Sequence, residues 1–213
     1  MQKILKIGLP VLLFGSLWGA LELFGVDLFR YLDVPNKTAW IFAIALIVMI
    51  VSKKISDFPI SVILMAVIAS LFKTISANFY ACQVAAVIIN GVLFDLSYSM
   101  LRNKLASSVA MRSVWSFALA IVSFGLFAFT AAFVIREVHW LERGWPGIID
   151  FTVTSGLIAA IASVITANLG FWMAKRLHVF ISADRSPAYS ASIKFISIII
   201  IAGIWIYGQI YKI

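Results

Sequence analysis

SVWSFALAIVSFGLFAFTAAFVI, Ser113 to Ile135, runs for 23 residues without a charged side chain. As a helix it rises about 35 Å at 1.5 Å per residue, enough to cross a hydrocarbon layer about 30 Å thick. Apart from the Trp115 indole, its polar side chains are hydroxyls, which can return a hydrogen bond to their own helix, so the segment suits lipid and not water. Six further charge-poor runs flank it: Ile4 to Val26, Thr38 to Ser52, Phe58 to Phe72, Ile75 to Leu101, Ile149 to Ala174 and Ala191 to Tyr211. The composition agrees, with 63% hydrophobic and 12% charged residues over 213 positions and a mean hydropathy of +1.05. A soluble domain of this length has too little interior for that much apolar side chain. The expected fold is therefore all-α, a polytopic transmembrane bundle of six to seven spans. It forms one domain over 1–213, with a six-helix core at about 4–176 and an additional C-terminal helix at about 191–211.

The net charge of +8 reads as basic loops facing anionic lipid and not as a nucleic-acid surface. With the N-terminus inside, eleven of the 17 Lys and Arg fall on the cytoplasmic side and six on the other. This predicts a multi-pass cell-membrane protein with a cytoplasmic N-terminus, and Lys3 and Lys6 open a retained first span instead of a cleaved leader. The second and third runs are short, so Lys37, Lys53, Lys54 and Lys73 are expected to snorkel. Between those two runs lies a tight hairpin, with Asp57 as helix cap and Pro59 in the first turn that follows. The single Cys82 offers no internal disulfide. The longest connections are expected at 102–112 and 175–190 inside, and at 27–37 and 136–150 outside, where Tyr31, Trp140 and Trp145 suit the headgroup level.

Charges inside spans are costly and therefore mark partners or sites. Glu22 and Lys73 fall near the outer ends of the first and third spans and are placed to meet. Gly15, Gly19 and Glu22 share one helix face, and small residues there permit close helix approach. Gln83, Asn90 and Ser97 recur every seven residues on the fourth span, with Asn78 near its outer end. Together with Trp18, one turn before Glu22, these residues outline an outward pocket of one acid, one base, amides and an aromatic wall. Two readings of Glu22 and Lys73 stand side by side, a ligand site and a structural ion pair, and the amides could equally bond between helices. Asp95 is read as structural, pairing with a basic loop residue. Thr152, Ser155, Ala159, Ala162, Thr166 and Gly170 form a small-residue stripe suited to internal packing or to a partner. No HExxH, GxSxG, CxxC, P-loop or GxGxxG motif occurs. His139 and His178 fall on opposite sides, which gives no metal site and no cofactor.

The stretches Gly15-Ser-Leu-Trp-Gly-Ala-Leu-Glu22, Ser70-Leu-Phe-Lys73 and Asn90-Gly-Val-Leu-Phe-Asp95 resemble the substrate-capture subunits, or S components, of energy-coupling factor transporters. The similarity covers about Leu5 to Arg176, and the seventh segment departs from that family's six-helix pattern. The resemblance implies uptake of a small polar micronutrient, a vitamin or precursor, without chemistry of the subunit's own. It also implies that residues 27–37 act as a lid, and that Trp18, Glu22, Lys73, Asn78, Gln83 and Asn90 contact substrate. Gly15 and Gly19 would then stand in for the family's spaced alanines, docking a transmembrane coupling subunit driven by ATPase subunits. The alternatives are a membrane assembly or scaffold subunit without a ligand, and an intramembrane lipid-acting enzyme using Glu22 or Asp95 as base. The topology is checked with reporters fused after Ile213. A periplasmic-type phosphatase is expected to be active there, and an active cytoplasmic reporter would invert or shorten the bundle.

Overall fold

The computed structural model describes residues 2–75, 81–183 and 187–211, with side chains for 8–74, 81–177 and 194–210. Every regular element among them is helical. α1 (Gln2–Ala20) continues through a π-helical turn (Leu21–Gly25) into α2 (Val26–Tyr31). Then follow α3 (Lys37–Ser56), α4 (Ser61–Ile75), α5 (Ala81–Ser107) and α6 (Val109–Phe129), which ends in a second π-helical turn (Thr130–Val134). α7 (Val138–Ala183) and α8 (Pro187–Tyr211) complete the chain. Five stretches are long and apolar enough to cross a membrane: Gly8–Tyr31, Lys37–Ser56, Ala81–Ser107, Val109–Val134 and Val138–Leu177. Ser61–Thr74 and Lys194–Ile210 are apolar but shorter.

A continuous apolar core draws on α1 and on α3 to α7, including Trp18, Leu46, Met65, Phe94, Trp115 and Phe171. None of the described side chains of α8 belongs to it. That helix lies against α1 and α4, where Trp205 Nε1 donates to Ser16 Oγ at 3.0 Å and its ring meets Phe72 at 4.4 Å between centroids. The small-residue stripe on α7 is internal: Ala159 and Ala162 are buried, a Cβ on Gly170 would sit 3.3 Å from the Ile47 backbone on α3, and Ser155 Oγ donates to Asn36 Oδ1 at 3.0 Å.

Several connections read as loops are helical. The 102–112 connection is a single corner, because α5 runs to Ser107 and Ser108 caps α6 by accepting from Met111 N at 3.2 Å. Residues 138–143 form a helical segment, and the break comes at Gly144, whose φ of 55° needs a residue without Cβ. Residues 26–31 are helical too, leaving only 32–36 between α2 and α3. In each case a loop was inferred from charge, yet a charged residue at a helix end costs little once it reaches water or headgroups.

The α3–α4 turn also differs from the sequence reading. Asp57 adopts a left-handed conformation (φ 42°) at the end of α3, and its carboxylate accepts from Arg102 Nη2 at 2.7 Å. The cap of α4 comes from another helix. Asp95 Oδ2 on α5 accepts from the backbone amides of Val62 and Ile63, each at 2.9 Å. Lys53 does not snorkel; it is 6% exposed, pairs with Asp95, and donates to the carbonyls of Phe58 at 2.8 Å and Pro59 at 2.6 Å.

Gly15 and Gly19 are buried in the α1–α4 contact. A Cβ on Gly15 would lie 2.9 Å from Ile68 Cβ, and one on Gly19 would overlap the Phe72 ring. α4 fills the space that the missing side chains leave. Gly19→Leu is expected to lower stability by about 2–3 kcal/mol through overpacking, read as the unfolding midpoint in detergent. Unchanged stability would place Gly19 on an open face.

Candidate functional site

The end of the bundle away from the N-terminus holds the site, and its geometry starts with the π-helical turn at Leu21–Gly25. Such a turn inserts one residue into a helix and takes a carbonyl out of the regular ladder, which is why π-turns recur at functional sites. Glu22 lies inside it. Lys73, on the last turn of α4, donates to the Glu22 backbone carbonyl at 2.7 Å and faces Glu22 Oε2 at 3.3 Å. Trp18 Nε1 donates to Glu22 Oε1 at 3.3 Å. Both charged side chains are largely buried, at 7% exposure for Lys73 and 14% for Glu22. Acid and base thus meet as their positions in the sequence suggested, and together they are net neutral.

Beside this pair is a cavity of about 150 Å³, lined by the Leu21–Gly25 turn and by α2, α3, α4, α5, α6 and α7. Glu22, Lys73, Gln83 and Asn90 all contribute to its wall, four of the six residues that the sequence placed together. Trp18 does not line it; fully buried behind Glu22, it orients the carboxylate. Asn78 lies outside the described residues. The seven-residue spacing of Gln83 and Asn90 puts both amides on one face of α5, and neither makes a side-chain hydrogen bond among the described residues. Phe42, Phe124, Phe127 and Phe151 supply the apolar wall, and exposed Thr38 marks the mouth at the start of α3.

Sequence reasoning missed Ser123. It lines the cavity from α6, is 1% exposed, and its Oγ is one of six buried side-chain atoms without a hydrogen-bond partner among the described residues, the other five lying away from the cavity lining. An unsatisfied buried hydroxyl costs about 1–3 kcal/mol, so a natural structure that keeps one beside a cavity calls for an explanation. The signal was available: Ser123 is a hydroxyl near the middle of an uncharged 23-residue run, where polar groups tend to face the bundle interior. The four phenylalanines carried no such signal, because aromatic residues pervade the spans.

Ser123 has no base in hydrogen-bond reach, and a serine hydroxyl without one is a weak nucleophile. Among the described residues no group of three or more His, Cys, Asp or Glu gathers to hold a metal ion. Comparison with family models, curated proteins and solved structures returns no match.

Proposed function

We propose that the protein is a membrane-embedded binding subunit that captures a small polar micronutrient from the outer side, with the N-terminus in the cytoplasm. The observation that carries this reading is the convergence on a single aromatic-walled cavity of two amides without a side-chain hydrogen bond among the described residues and one buried hydroxyl without a partner among them. The size limits the occupant, since a cavity of about 150 Å³ takes a molecule near the size of benzene. Its charge limits the occupant further: Glu22 and Lys73 cancel, so a net-neutral ligand enters without stranding either. The class is therefore a single-ring compound, uncharged or zwitterionic, with hydrogen-bonding groups on its edge for Gln83, Asn90 and Ser123. The motif resemblance to S components supports energisation by coupling and ATPase subunits. Any such partner meets a face other than Gly15 and Gly19.

One observation favours the scaffold reading instead. Glu22 and Lys73 are satisfied within the protein, as an architectural pair is. The two readings separate on the residues that are not satisfied. In a thermal-stabilisation screen of net-neutral single-ring compounds in detergent, at least one is expected to raise Tm. Asn90→Leu or Ser123→Ala should weaken its binding about fivefold, the value of one hydrogen bond. Removing one charge alone leaves its partner stranded at about 3–5 kcal/mol, so the ion pair is tested by joining Glu22→Gln with Lys73→Met. That protein is expected to fold and lose binding. No stabilising compound would favour the scaffold, and full binding by the folded double variant would make the ion pair architectural beside a ligand site.

A further inference from the structure

At the opposite end of the bundle, positive charge among the described residues exceeds what the described acids there can hold. Two described acids lie there, and both are engaged: Asp95 by Lys53 and Asp57 by Arg102. Lys54 and Arg112 have no carboxylate partner among the described residues. Both half-buried side chains sit on one buried ring. Lys54 Nζ is 5.5 Å from the Phe171 centroid, and the Arg112 guanidinium is 4.5 Å from it. Lys54 also lies 6.0 Å from the Tyr98 ring.

Arg112 is fixed in place. Its Nε donates to the Leu105 carbonyl at 2.6 Å and Nη2 to the Ala106 carbonyl at 2.8 Å, closing the end of α5. Nη1 makes no hydrogen bond among the described residues. Two like charges on one aromatic ring repel each other, and the ring's quadrupole attracts each without neutralising either. Arg112 Nη1 and the Lys54 ammonium therefore keep donors for an anion at this end. The depth indicates which: α3 ends beside Lys54, α6 begins just before Arg112, and half-exposed Trp172 carries Arg176 over its ring at 5.8 Å at the same end. Helix ends with Trp and Arg belong at the headgroup level.

We infer that Lys54 and Arg112, seated on Phe171, bind the phosphate of an anionic phospholipid headgroup. The site is separate from the cavity and does not depend on its ligand. Arg112 supplies a preoriented N–H for one phosphate oxygen and Lys54 a mobile ammonium for another.

The test compares phosphatidylglycerol with phosphatidylcholine of the same acyl chains on the purified full chain in detergent, by native mass spectrometry and Tm. Phosphatidylglycerol is expected to be retained preferentially and to raise Tm. Lys54→Gln should weaken its retention about fivefold, the effect of one cation at a membrane surface, and leave phosphatidylcholine unaffected. Lys54→Arg, which keeps the charge, and Lys104→Gln, an exposed lysine off the ring, should both behave as the unaltered protein. Undiminished retention by Lys54→Gln would overturn the assignment. So would an equal loss in Lys104→Gln, which would mean diffuse charge attraction, or a loss in Lys54→Arg. Inorganic phosphate raising Tm as much as phosphatidylglycerol would overturn the lipid source.

Discussion

A helix whose first turn packs against its neighbours buries amide groups that need an acceptor. In this protein α4 begins that way, and the Asp95 carboxylate on α5 takes the amides of Val62 and Ile63. A buried carboxylate in turn needs a cation, which Lys53 on α3 provides. The ammonium has three protons, and the Phe58 and Pro59 carbonyls take those that Asp95 does not. The set is closed: each donor has an acceptor, and three helices and the turn between two of them are tied at one point.

That point fixes the rest of α4. With Val62 anchored, the helix runs between Gly15 and Gly19 on α1 and Gly91 on α5, where any Cβ would collide with its side chains. Eleven residues further on, about 16 Å at 1.5 Å per residue, Lys73 reaches the carbonyl and carboxylate of Glu22. α4 is thus a short helix with a buried ion pair at each end. Because each pair is neutral, the cavity beside the second keeps its unpaired amides and hydroxyl as its remaining polar demand. The basic excess collects at the first end, outside the closed set.

The helices were legible because long charge-poor runs announce them, and the seven runs correspond to α1–α2 and α3 to α8, five of them long and apolar enough to cross a membrane. The meeting of Glu22 with Lys73, and the shared face of Gln83 and Asn90, followed from depth and helical period. What stayed illegible depends on neighbours distant in sequence. Asp57 has the composition of a cap, yet Asp95, thirty-odd positions away, performs the capping. Lys53 and Lys54 are adjacent in sequence, and only the position of α5 decides that one turns inward and the other onto Phe171. Gly15 and Gly19 announced a close approach without saying whose. The orphaned Ser123 became visible only when a cavity appeared beside it.

The account depends most directly on the closed set at Asp95. Its test is Asp95→Ala, followed by equilibrium unfolding in detergent and by amide hydrogen exchange at Val62 and Ile63. Stranding the Lys53 charge and uncapping α4 should cost about 3–5 kcal/mol and speed exchange at those two amides. Pairing Asp95→Leu with Lys53→Met should recover much of the stability without restoring their protection. Stability within about 0.5 kcal/mol of the original, the range of an ordinary surface substitution, with both amides still protected, would contradict it.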